Sequence, residues 1–171
     1  MKLSSALLVF SSIILFFTGC SDPSSSYETI LTASDAAAGD GFGSSVAISG
    51  EVMVVGASSD DDAGSKSGSA YVYRYNKSNW IEEQKLTASD GAVEDWFGHS
   101  EAIAEDLIVV GSPEDDDAGT GSGSAYVYRY TGSSWIEEQK LPASDAGEQD
   151  HFGYDVAVSG QLMVVSANAD D

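Results

Sequence analysis

Basic residues are scarce in this 171-residue chain: 7 Lys and Arg stand against 28 Asp and Glu, leaving a formal net charge of −21. Without a cluster of cations the chain cannot hold a phosphate backbone, which excludes DNA and RNA as partners, and its surface charge would repel anionic lipid. Cysteine occurs once, at Cys20, which rules out an internal disulfide framework and any multi-cysteine zinc site. No stretch carries a sustained helical period with capping signals. There is also no Gly-x-Ser-x-Gly elbow, no His-Glu-x-x-His pair and no phosphate-binding glycine loop, so nothing in the chain points to catalysis. The composition is 42% hydrophobic and 10% aromatic, enough to bury a core and too much for a disordered chain.

The first twenty residues read as an address. Lys2 is followed by an apolar run from Ala6 to Phe17, shorter than a bilayer span and of the length of a signal-peptide core. The run closes on Phe17-Thr18-Gly19-Cys20, which resembles the lipobox of bacterial lipoproteins, with Phe17 where leucine is usual. The resemblance implies cleavage after residue 19, lipidation of Cys20 and export to the cell envelope, with Ser21 compatible with outer-membrane sorting. Residues 20–26 then form the lipidated cysteine and a polar tether (Ser-Asp-Pro-Ser-Ser-Ser). An ordinary secretory signal with an incidental cysteine is the alternative.

From residue 27 onward the chain is one unit written repeatedly. Leu31-Thr-Ala-Ser-Asp35 returns as Leu86-Thr-Ala-Ser-Asp90 and as Leu141-Pro-Ala-Ser-Asp145, a step of 55 residues each time. Residues 31–85 and 86–140 are identical at 36 of 55 positions, and a third copy runs from 141 to 171. A period near 50 belongs to solenoids, propellers and arrays. Within each unit the pattern predicts four strands: Ser45–Ser49 and Val52–Gly56 joined by Gly50-Glu51, then Ala70–Tyr75, then a charged outer strand over Trp80–Leu86. Four antiparallel strands per repeat make a β-propeller blade. The fold class is therefore all-β, with about two and a half blades in an open, incomplete ring. Residues 27–31 match the fourth strand of a blade, and the third copy stops before its tyrosine strand. The expectation is a fragment of a longer protein, or a short protein that self-associates or pairs its open blade edge.

Phe42-Gly-Ser-Ser-Val-Ala-Ile-Ser, Val54-Val-Gly-Ala57 and Gly68-Ser-Ala-Tyr-Val-Tyr73, with their copies at Phe97-Gly98, Val109–Pro113, Gly123–Tyr128 and Phe152-Gly153, resemble the FG-GAP repeat. That resemblance implies a propeller of the integrin α kind, binding a protein or glycan ligand or serving adhesion at the cell surface. The calcium loop of that family has no room here, because its strands are joined by only Ser49-Gly50-Glu51 or Ala104-Glu105-Asp106.

The carboxylates gather instead between the second and third strands, at Asp60-Asp-Asp62 and Glu114-Asp-Asp-Asp117. Asp60, Asp62, Asp115 and Asp117 are candidate calcium ligands, since calcium takes six to eight oxygens and Gly64 allows the turn. A solvated acidic loop that maintains solubility is the competing reading. Tyr71, Tyr73 and Tyr75, with Tyr126, Tyr128 and Tyr130, are expected in the core between blades, and Arg74 and Arg129 paired with carboxylates. His99 and His151 fall outside the repeated framework. Three function classes remain: an adhesion or ligand-binding module, a calcium-stabilised structural protein, and a hydrolase whose active site lies in further blades.

Overall fold

A computed structural model describes residues 13–18 and 26–170. Among these residues there is no helix, and twelve strands form antiparallel sheets. Strands β3 (Val46–Ser49), β4 (Val52–Ala57), β5 (Ser69–Tyr75) and β6 (Trp80–Leu86) make the first complete blade, in the order β3-β4-β5-β6. Strands β7 (Ser100–Ala104), β8 (Leu107–Ser112), β9 (Ser124–Tyr130) and β10 (Trp135–Pro142) repeat it as the second. The third copy contributes β11 (Val156–Ser159) and β12 (Leu162–Val165), paired with each other. The expected strands thus stand within about a residue of their expected bounds, and the open, incomplete propeller is the architecture found.

The remaining pair is β1 (Ile13–Thr18) against β2 (Ser26–Leu31). β2 is the expected spare fourth strand; its partner comes from the apolar run that the sequence reading assigns to the export signal. A β-branched and aromatic stretch such as Ile-Ile-Leu-Phe-Phe pairs readily with an open edge. Cys20 and the tether residues 21–25 lie outside the described residues.

Side-chain alternation decides the packing. Val52, Val54, Ala70 and Val72 face the second blade, where they meet Phe97, Ile103, Ile108, Val110, Tyr126 and Tyr128 in one buried cluster. The opposite face of the first blade, with Met53, Val55, Tyr71 and Tyr73, is covered by Leu31, Ala33 and Phe42. The second blade's other face, with Leu107, Val109 and Val127, packs on Val156, Val158, Met163 and Val165 of the third copy. Tyr71, Tyr73, Tyr126 and Tyr128 are core, as expected, and Tyr75 and Tyr130 pack against it partly buried. Tyr71 and Tyr126 are fully buried, and each meets the repeat's phenylalanine edge-on: Phe42 at 5.5 Å and Phe97 at 5.3 Å between centroids.

The Phe-Gly motif fastens one copy to the next. Gly68 forms a parallel bridge with Phe97, and Gly123 one with Phe152. At Gly68, φ is +84°, and a methyl in place of its hydrogen would lie 2.0 Å from the Phe97 carbonyl oxygen, so only glycine fits. Gln84 adds a second fastening: its amide donates to the Trp135 carbonyl at 2.7 Å and accepts from the Trp135 N–H at 2.8 Å.

The hairpin joining β7 to β8 breaks a rule its sister copies obey. Glu105 holds φ at +56°, where Gly50 and Gly160 sit at +58°. A non-glycine residue in that region costs about 1–3 kcal/mol, partly offset by the looser unfolded chain that glycine brings. Glu105→Gly is expected to stabilise the protein by about 0.5–1 kcal/mol, read as a higher denaturation midpoint. An unchanged midpoint would show that the turn is not strained.

Candidate functional site

Two kinds of polar cluster emerge, one repeated in both complete blades and one unique to a blade junction. The repeated one begins with a bulge in the outer strand. Tyr71 pairs with Lys85 and Val72 with Gln84, but Tyr73 pairs with Glu82, so Glu83 is the extra residue. Strict alternation would place Lys85 on the face of Ile81 and Glu83. The bulge turns Lys85 and Glu82 onto the tyrosine face and leaves Gln84 facing the next blade. In the second blade Tyr126 pairs with Lys140 and Tyr128 with Glu137, which repeats the device.

Lys85 Nζ consequently donates to Asp35 Oδ2 at 2.7 Å, to Asp60 Oδ2 at 3.1 Å and to Asp62 Oδ2 at 2.5 Å. Lys140 Nζ does the same with Asp90, Asp115 and Asp117 at 2.7, 2.8 and 2.6 Å. The Tyr71 hydroxyl lies 2.8 Å from Asp35 Oδ1 and 3.0 Å from Asp60 Oδ2, with Tyr126 placed alike between Asp90 and Asp115. Burial alone would lower the lysine pKa values and raise those of the aspartates. The charge-assisted bonds outweigh it, holding Lys85 and Lys140 above and Asp35 and Asp90 below their ordinary values. For Tyr71 and Tyr126, burial first and then the neighbouring carboxylates raise the hydroxyl pKa, so both stay neutral donors.

The four candidate ligands Asp60, Asp62, Asp115 and Asp117 therefore do converge, in two groups, each joined by an aspartate from the Leu-Thr-Ala-Ser-Asp motif. Each group could hold a metal ion, its carboxylate oxygens lying within 4.8 Å of one another, and so is compatible with calcium. Lysine Nζ stands among the same oxygens. Ser67 accepts from the Ala63 N–H and donates to the Asp60 carbonyl, closing the turn. The integrin-type calcium position does not fit: β3 and β4 are joined by Gly50 and Glu51 alone.

Arg74 pairs with Glu83, and Arg129 with Glu138 and Asp106, as expected. Lys66 pairs with Glu94 and Lys77 with Glu51, so every Lys and Arg among the described residues is neutralised by a carboxylate. Most of the remaining carboxylates are exposed, but Asp40, Asp95, Glu101 and Asp150 are buried without a cation.

The unique cluster lies where the second blade begins. Trp96 occupies the position of Gly41 in the first copy and keeps a glycine-like φ of +57°, held by its N–H donating to the Lys66 carbonyl at 3.1 Å. His99 stacks on Trp96 with centroids 6.2 Å apart and meets Tyr154 of the third copy at 5.0 Å. Lys66 Nζ lies 6.0 Å over the Trp96 ring. Trp96, His99, Lys66, Ser44, Ser58 and Ser59 line an open cavity of about 300 Å³. Burial lowers the His99 pKa, so its imidazole is neutral at pH 7. The left-handed φ recurs at this position in every copy, at +72° for Gly41, +57° for Trp96 and +54° for His151, so it belongs to the repeat's turn and only the bulky ring is particular to this copy. The sequence offered one signal for the cluster: Trp96, His99 and Tyr154 interrupt an otherwise regular repeat. His151, by contrast, is tied to Glu114 at 3.2 Å and faces the Pro113 carbonyl.

A family model described as the FG-GAP repeat matches residues 26–73, 80–128 and 135–171. A search of curated proteins finds no match to the chain.

Proposed function

Because this chain belongs to the FG-GAP repeat family, we propose that it is a ligand-binding or adhesion module of the bacterial cell envelope, exported and lipid-anchored through Cys20. FG-GAP propellers of this integrin-like kind are typically non-catalytic, so the reading turns on recognition. The observation that carries it is the aromatic cluster of Trp96, His99 and Tyr154 beside a hydroxyl-lined hollow, placed on residues free to differ from copy to copy. Flat rings flanked by Ser44, Ser58 and Ser59 suit a sugar, whose apolar face stacks while its hydroxyls exchange hydrogen bonds. On a glycan array the chain is expected to retain a restricted set of saccharides. Trp96→Ala is expected to weaken that binding by roughly tenfold or more, the loss typical of an aromatic anchor. A blank array, or binding indifferent to Trp96→Ala, would overturn the saccharide reading.

A calcium-stabilised structural role is the second reading, supported by the two aspartate groups. It requires calcium to displace a covalently tethered ammonium from each.

A further inference from the structure

The hollow between the first and second blades carries a positive charge that the corresponding place at the next junction lacks. Lys66 and Trp96 occupy two left-handed turn positions, with φ of +53° and +57°, and each has a glycine in a sister copy: Gly121 for Lys66 and Gly41 for Trp96. The turns are the repeat's own. What this junction adds is two long side chains lining one cavity, tied at the main chain by the Trp96 N–H donating to the Lys66 carbonyl at 3.1 Å. At the second junction the positions of Lys66, Trp96 and Ser59 hold Gly121, His151 and Glu114, the last two paired at 3.2 Å. The same place in the repeat is cationic once and acidic once.

Lys66 is also the most loosely engaged cation among the described residues. Every other Lys and Arg there has a carboxylate oxygen within 2.9 Å, whereas the partner of Lys66 is Glu94 at 4.0 Å. Both of those side chains are well exposed, at 47% and 65%. An exposed pair so far apart contributes little and is readily exchanged for a closer anion. In a chain of formal charge −21, an ammonium so lightly held beside a half-buried indole points to an anionic ligand.

Building on the saccharide reading, we propose that the hollow binds a hexuronic acid unit of an acidic polysaccharide. The ring stacks on Trp96, the carboxylate pairs with Lys66, and the hydroxyls meet Ser44, Ser58 and Ser59. A ring in contact with the indole lies about 4 Å from it. Lys66 Nζ, 6.0 Å from the Trp96 centroid on a flexible stem, then reaches a carboxylate borne directly on that ring. Glu114 bars the same unit from the second junction by like charge.

Calorimetric titration of the full chain with trimers of galacturonic, glucuronic and mannuronic acid, and with their methyl esters, tests the assignment. Esterification removes the charge and keeps the ring. At least one acid trimer is expected to bind about tenfold or more tightly than its ester, the worth of one charge-assisted bond. Lys66→Gln is expected to abolish that preference and leave the ester's affinity unchanged, and Lys66→Arg to keep the preference. Lys77→Gln changes the net charge equally at the far end of β5 and is expected to leave the preference intact. Glu94→Gln, which removes the competing carboxylate, should tighten the acid by about two- to fivefold. An ester that binds as well as its acid, a preference that survives Lys66→Gln, or one lost equally in Lys77→Gln overturns the uronate assignment. So does retention of neutral sugars alone; in each of these cases the saccharide reading stands if Trp96→Ala abolishes binding. Failure of every saccharide, acidic or neutral, overturns both.

Discussion

At pH 8 the Glu101→Gln variant is expected to unfold well above the parent in temperature, and the gap should close as the pH falls toward 4. Glu101 replaces the valines of the sister copies (Val46 and Val156) on the first strand of the second blade. It is 7% exposed and faces Gly56 so closely that a methyl there would touch its Oε1. Neither of its oxygens meets a donor in good hydrogen-bond geometry. Burial pushes its pKa up to about 8, against a weaker opposing pull from Ser45. The folded state therefore keeps the proton while the unfolded chain, titrating near 4.5, releases it. Stability is full below about pH 4.5, declines from there to about pH 8, and is level beyond. At about 1.4 kcal/mol per pH unit the ceiling is near 5 kcal/mol, and about 3 is the working expectation once water penetration is allowed for. Repulsion among the many carboxylates also grows with pH, but it acts on parent and variant alike. Parallel melting curves for the two proteins from pH 4 to 8 would show that Glu101 is not held as a buried neutral acid.

Lys140→Met is expected to melt several degrees below the parent in chelator and to recover when millimolar calcium is added. Removing the ammonium leaves Asp115, nearly buried, against Asp90 and Asp117 with no counter-charge. Breaking a buried pair costs about 3–5 kcal/mol, and the exposure of Asp90 and Asp117 reduces this to about 2 kcal/mol here. For a chain of this size that is roughly 5 °C in melting temperature. Calcium restores the missing charge in the variant, whereas in the parent it must first expel the tethered lysine. The parent is therefore expected to give no calcium-dependent shift, and a parent that shifts as far as the variant would favour the calcium-stabilised reading.

The strands were legible because turn residues and the two-residue alternation recur at the same step. Even the packing direction of Tyr126 followed, since a blade has neighbours on both faces. The aspartate groups were half legible. Asp60, Asp62, Asp115 and Asp117 announce themselves as runs of acid, whereas Asp35 and Asp90 hide in a motif that reads only as a ruler for the repeat. The lysines escaped notice for a physical reason. In a regular strand, Lys85 would share a face with Ile81 and Glu83 and read as edge protection, and only the bulge at Glu83 carries it to the tyrosine side. A one-residue irregularity has no composition signal. Trp96 and His99 lie between these cases, visible as departures from the repeat yet joined to Tyr154 only by the stacking of one copy on the next.

The bridges at Gly68–Phe97 and Gly123–Phe152 tie each copy only to the one that follows. Such an assembly behaves as a row of leaning dominoes, in which the middle member is braced twice and the outer ones once. Among the described residues the second blade, packed on the copy before it and the copy after it, should therefore be the last to yield to heat or protease.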